Sequence, residues 1–297
     1  MARNTKRHRR EPVRHPIPAA RLKAVPRRPG FDPDNPRLPA FAVSGMAAAL
    51  ARCPVEMVPL YAVVAVVHQS MSGAPVNSCV PICYQLAIAL EHLGFDSEVM
   101  AAYAEVIQGD IAHVSLGVRG RAAVRDDFTT NGHVVLWAES FGRLLDPTIA
   151  QHPALLAAAH GGQDKQGAPL SVPVQGGRST LLRGAVGAIR PPFQINYLVQ
   201  PQYTTAFDPW LAEFGDAVEY GGLSLAHTTL GTIVGAADIR NLRELPQLYP
   251  RLGALLAGAE HLPAVPEQPP ASWTRLSDSA RTGQSGPGST STGSRPP

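Results

Sequence analysis

From residue 41 to residue 93 the apolar positions recur at helical spacing. Residues 41–52 (FAVSGMAAALAR) read as a helix. Pro54 sits where a second can start, with Glu56 in its first turn and an apolar run continuing to about Gln69. A Ser-Gly-Ala-Pro turn at 72–75 separates it from the clearest helix of the chain, residues 79–93. There Ile82, Leu86, Leu90 and Leu93 form a stripe at spacings three and four, and Gly94 is a natural stop. After Gly94 the texture turns to β. Residues 97–107 and 112–118 read as strands, and 193–200 (FQINYLVQ) as another. Residues 133–139 (HVVLWAE) and 143–149 (RLLDPTI) flank a Ser-Phe-Gly turn and predict a hairpin. A Gly-rich loop covers 160–179, and helical texture returns at 208–220, 223–238 and 240–258. The order of helices, sheet and helices predicts an α+β fold with the central helix packed on an antiparallel sheet.

The ends of the chain differ from this body. Residues 1–40 hold eight prolines and a basic cluster, and residues 263–297 are rich in Pro, Ser, Gly and Thr. Neither composition supplies much apolar area to bury, so the expectation is a disordered arm over 1–40, a folded domain over 41–262 and a disordered tail over 263–297. Residues 1–30 carry ten of the 26 Lys and Arg residues and one acid, leaving 16 basic against 22 acidic residues in the remainder. The net charge of +3 is therefore a basic arm on an acidic body. Arg3, Lys6, Arg7, Arg9, Arg10 and Arg14 offer weak contact to nucleic acid or another polyanion. Without interleaved aromatics or a DNA-binding motif, a solvated tail is the plainer reading.

Three cysteines, an odd number, do not make a disulfide framework. No apolar stretch follows the charged N-terminus within the first 40 residues, and Met57–Val67 is too short to span a bilayer. A cytoplasmic protein without membrane contact is the expectation. No calcium-loop spacing occurs, and no Lys-Ser/Thr follows the glycines of 161–177 as a phosphate loop requires. Cys79, Cys83 and His92 share one predicted helix, but no second Cys or His pair follows at zinc spacing. Neither cofactor nor metal is expected.

The candidate chemistry begins at Cys79. A thiol is a nucleophile as thiolate, and a helix N-terminus and a nearby imidazolium both stabilise that anion. Cys79 opens the central helix two residues before Pro81, whose missing N–H costs little in a first turn. Backbone donors at that end also suit an oxyanion. Cys83 lies one turn further in, on the face of Leu86 and Leu90, and reads as core.

Residues 78–95, SCVPICYQLAIALEHLGF, resemble the nucleophile helix of transglutaminase-like proteins and of arylamine N-acetyltransferases, in which a cysteine opens a helix ending in a Leu-x-x-Leu-Gly-like stretch. These families place a histidine at the start of one later strand and an aspartate at the end of the next. GHVVLWAESFGRLLDPT is similar, with His133, Trp137 and Asp146. The Leu-Asp-Pro-Thr ending favours the transglutaminase-like branch, since the Arg-Gly-Gly lead of the acetyltransferases is absent. The resemblance covers about 75 of the 297 residues. It implies a papain-like core with Cys79 as nucleophile, His133 as base and Asp146 orienting the base. It also implies acyl transfer through a thioester, from a protein, peptide or small amide to water or an amine.

Two points stay open in the sequence. A hairpin turning at Phe141-Gly142 sets Asp146 opposite about Trp137, so that it meets His133 only across a bulge or strong twist. His113 on the preceding strand is the fallback base. For the oxyanion, Gln69 and Asn77 are the side-chain candidates ahead of the helix. A catalytically silent binding module on the same fold and a nucleic-acid-associated protein using its basic arm are the competing readings.

Overall fold

The computed structural model describes residues 50, 53–70, 78–124, 130–149, 170–190, 193–237 and 242–282. The expected arm over 1–40, the helix over 41–52 except Leu50, residues 160–169 of the Gly-rich loop and the tail beyond 282 lie outside them. A 3-10 turn at Val55–Met57 leads into helix α1, Val58–Ser70. This helix is apolar around most of its circumference, and Val58, Leu60 and every residue from Ala62 to Val67 are buried. That is the signature of an interior helix. Helix α2, Cys79–Leu93, has the bounds its stripe predicts. It closes at Gly94, where the Phe95 N–H donates to the Leu90 carbonyl at 2.8 Å.

The sheet is antiparallel throughout. Its strands are β1 (Ser97–Gln108), β2 (Ile111–Leu116), β3 (His133–Ala138), β4 (Arg143–Asp146) and β5 (Leu170–Pro173). After helix α3 (Gly177–Arg183) come β6 (Val186–Arg190) and β7 (Phe193–Val199). The order is β5-β4-β3-β1-β7-β6, with β2 also on β1. Strand β1 is the long central member. Residues 97–102 pair with β3, 104–108 with β2, and 102–107 with β7. Because β7 occupies the opposite edge, β2 and β3 lie end to end along the same edge of β1.

Helix α4, Asp208–Ala237, lies with α1 and α2 on one face. The other face carries a second cluster, to which Leu181 of α3 also belongs. Val135, Trp137 and Leu144 from one half share a cluster with Phe193, Ile195, Tyr197 and Val199 from the other. Mixed helix and antiparallel sheet agree with the α+β expectation. Among the described residues no helix is long and apolar enough to cross a membrane.

Several elements depart from the sequence reading. The helices expected at 208–220 and 223–238 are one helix of 30 residues. Gly221 and Gly222 do not break it, because they are where α2 comes closest. A Cβ would stand 2.6 Å from the Gln85 side chain at Gly221 and 2.6 Å from Ile88 at Gly222. The helix expected at 240–258 is instead two short ones, α5 (Leu245–Leu248) and α6 (Pro250–Leu256), because Pro250 starts a new first turn. Where the sequence reads as a loop over 160–179, Leu170–Pro173 is strand β5 and Gly177 starts helix α3, and strand β6 stands where no element is expected. The domain does not end at residue 262: residues 271–282, assigned to a disordered tail, form helix α7 (Ala271–Thr282). Trp273 stacks edge-on against Tyr220 of α4, and Arg275 pairs with Glu213. Leu276 also packs against the cluster that holds Phe214, and Arg275 lies over the Phe214 ring, so a few anchors hold a stretch of polar composition.

Candidate active site

Cys79 is the first residue of α2, after Ser78 at the cap. The N–H groups of Cys79 and Val80 have no partner within the helix, as first-turn donors never do. The Cys79 sulfur lies 4.0 Å from the Gly132 carbonyl and the residue is 5% exposed. It belongs to an apolar cluster with Val80, Ala101, Val134, Phe207 and Trp210. Cys83, one turn on, donates to the Val134 carbonyl at 3.5 Å and is fully buried. Burial pushes its thiol well above the ordinary value, and the charges of Cys79 and Asp146 push it the same way. Cys83 is therefore a core thiol, as expected.

His133 opens β3 and Asp146 closes β4. The pairs Leu136↔Leu145, Trp137↔Leu144 and Ala138↔Arg143 run without a shift. A 3-10 turn at Glu139–Phe141, closed by Gly142, moves the register two residues from the one a tight turn at Phe141-Gly142 would give. One step further along this register, Asp146 faces Val135, not Trp137. His133 is then its diagonal neighbour on the same face of the ladder, a separation that long side chains bridge. The expected misregister is thus overturned without a bulge. The His133 Nε2 meets the Asp146 Oδ2 at 2.8 Å, with the residues 4% and 1% exposed.

Asp146 is held in turn by its own chain. Its Oδ1 accepts from the Thr148 N–H at 3.3 Å, the Thr148 Oγ1 at 3.3 Å and the Ile149 N–H at 3.1 Å. This is an Asx turn around Pro147. Thr148 was visible in the Asp-Pro-Thr string, but its role as a clamp on the carboxylate was not.

For His133, burial lowers the imidazole pKa, but the Asp146 charge and hydrogen bond, with a further hydrogen bond and charge from Cys79, outweigh it. The net is an imidazole pushed up from its ordinary 6.5 to about 10. With Nε2 on Asp146, Nδ1 is the nitrogen left for the thiol. The imidazole is thus hydrogen-bonded to the carboxylate and close enough to the thiol for Cys79 to raise its pKa.

The shift has a sign for stability. The folded state keeps the His133 proton between about 6.5 and 10, where the unfolded chain has lost it. The stabilisation is complete below about pH 6.5 and is lost as pH rises through about 10. The denaturation midpoint of the wild type should fall across that window more steeply than that of His133→Ala. Parallel slopes would mean that the imidazole is not held protonated.

His113 lies on β2 where Val106↔Val114 and Ile107↔Ala112 frame a register shift. Its backbone is about four residues along β1 from Ala102, the partner of His133, which is roughly 13 Å at strand rise. Gln69 belongs to α1, and Asn77 lies outside the described residues. Among the described residues no three His, Cys, Asp or Glu gather closely enough to hold a metal ion. His92 is turned to Glu219 at 3.5 Å instead.

Comparison of the chain with protein-family models, with curated proteins and with solved structures finds no match. What remains is its own geometry: a domain of mixed helix and antiparallel sheet in which a buried imidazole and carboxylate are hydrogen-bonded and a thiol at a helix start bonds to the carbonyl of the residue next to the imidazole.

Proposed function

We propose that the chain is a cysteine-dependent acyl-transfer enzyme on a papain-like scaffold of the transglutaminase-like kind. The observation that carries the proposal is the buried His133–Asp146 pair with the Cys79 sulfur beside it at the start of α2, hydrogen-bonded to the carbonyl of the residue before His133. The Cys79 sulfur, as thiolate paired with the protonated His133, attacks an acyl carbon. The N–H groups of Cys79 and Val80 are the donors available to the tetrahedral oxyanion. Collapse breaks the bond to the leaving amine, which receives the proton from His133, and leaves a thioester on Cys79. Water or an amine then attacks, giving its proton to His133. The product is a carboxylic acid in the first case and an amide in the second. Substrates of this chemistry are proteins, peptides or small amides. No resident cofactor enters the scheme.

The test is the order in which the thiols react. Cys79 should be alkylated by iodoacetamide near neutral pH before Cys53 and Cys83, which are 2% and 0% exposed. Peptide mapping of the native protein reads this. In parallel, an activated aryl ester should leave its acyl group on Cys79, seen as a mass increase that hydroxylamine removes. Labelling of Cys53 or Cys83 ahead of an untouched Cys79 ends the proposal. A second reading follows from the burial of Cys79. At 5% exposure the same scaffold suits a binding module that does not turn over. Cys79 that alkylates but never takes up an acyl group would favour that module.

A further inference from the structure

The place where β2 hands over to β3 contains a device that the site above does not include. Along β1, Ala104 pairs with Leu116, the end of β2, and Ala102 pairs with His133, the start of β3. Gly117 fills the seam between them. Its φ is +74°, and a Cβ there would stand 2.5 Å from the Ala102 carbonyl oxygen, 2.9 Å from the His133 Cβ and 2.9 Å from the His133 nitrogen. His133 is therefore backed directly by the bare Cα of Gly117.

The turn after Gly117 is gripped by one side chain. The Gly120 N–H donates to the Gln200 Oε1 at 2.6 Å, and the Gln200 Nε2 donates to the Val118 carbonyl at 3.3 Å. Gln200 follows β7, on the opposite edge of β1, so its side chain crosses β1 to reach the turn. Its own N–H donates to the Ala101 carbonyl at 2.7 Å, next to the partner of His133. It is 5% exposed. Both polar atoms of a buried amide are thus used on the two ends of one three-residue turn.

We propose that Gln200 is a positioning residue for His133: by clamping Val118 and Gly120 it presses Gly117 against His133 and holds the imidazole between Cys79 and Asp146. This rests on the acyl-transfer reading of Cys79 and His133. Without the clamp the turn is free to leave the seam, and His133 loses the wall behind its backbone. A buried amide left with open partners would otherwise be costly, so its full pairing is consistent with a fixed role.

The experiment compares full-length wild type, Gln200→Met, Gln200→Glu and His133→Ala. Cys79 alkylation by iodoacetamide is followed by peptide mass from about pH 5 to 10. Met keeps the volume and removes both hydrogen bonds, whereas Glu keeps the acceptor for Gly120. Gln200→Met should slow alkylation at about pH 6 by roughly tenfold, the order expected when the group paired with the thiol is misplaced by a fraction of an ångström. The pH midpoint of the profile should rise, the high-pH plateau should stay, and Gln200→Glu should fall between. A purely structural role would lower the thermal midpoint and leave the pH midpoint in place, which overturns the proposal. It is also overturned, with the acyl-transfer reading left standing, if both Gln200 variants overlay the wild type while His133→Ala does not. If His133→Ala overlays the wild type too, both readings fall. Should Gln200→Met not fold, Gln200→Glu decides by the same profile.

Discussion

His133→Ala is expected to slow alkylation of Cys79 at about pH 6 by on the order of 100-fold, the size typical of removing an opposite charge from beside a titrating group. Asp146→Asn is expected to do equal damage, for a reason visible only in the contacts. The Asp146 Oδ1 faces three donors, from Thr148 and Ile149. An Asn must keep its carbonyl oxygen there, which aims its NH₂ at His133 Nε2. The imidazole can accept that bond only as the tautomer protonated on Nδ1, and Nδ1 is the nitrogen left for the thiol. No acceptor then remains for the Cys79 proton. The same logic makes a wrong tautomer damaging in serine-protease triads. Asp146→Ala should therefore be no worse than Asp146→Asn, and His113→Ala should have no effect. The measurement is the pH profile of Cys79 alkylation in each variant. An Asp146→Asn protein that keeps more than half the wild-type rate at about pH 6 would show that the carboxylate does not set the tautomer. A large effect of His113→Ala would move the base to β2.

Gly117→Ala should lower stability by about 2–5 kcal/mol, adding overpacking of roughly 1–3 kcal/mol to a left-handed backbone penalty of about 1–2 kcal/mol. In a body of this size that is about 4–20 °C in thermal midpoint. Gly109→Ala is the matched comparison. Its φ is +59°, also left-handed, but nothing lies within 4 Å of a Cβ there. The backbone penalty and the reduced freedom of the unfolded chain are shared by the two substitutions. Their difference therefore isolates the contact with Ala102 and His133. Backbone atoms on both sides leave little room to yield, since two strands meet β1 at that point. Equal midpoints for the two variants would mean that β2 and β3 separate without cost, and that the seam does not brace His133.

Much of the site was legible in the sequence because it is written in local rules. The stripe from Ile82 to Leu93 and the stop at Gly94 determine the bounds of α2, and with them the placing of Cys79 at a helix start. That depends on spacing and capping within one segment. The strand textures around residues 97, 133 and 143 likewise determined that His133 begins one strand and that Asp146 ends the next. What needed the tertiary structure was everything fixed by partners far along the chain. The 3-10 turn at Glu139–Phe141 chose the register that makes His133 and Asp146 diagonal neighbours, and a shift of two residues is invisible to apolar alternation because it returns each side chain to the same face. Gly221 and Gly222 read as a break until α2 is set against them. Residues 271–282 read as tail until Trp273 finds Tyr220. Gln200 carries no local signal at all. Its two bonds join a strand end to a turn some 80 residues earlier, and only the folding of β2, β3 and β7 onto β1 brings those groups together.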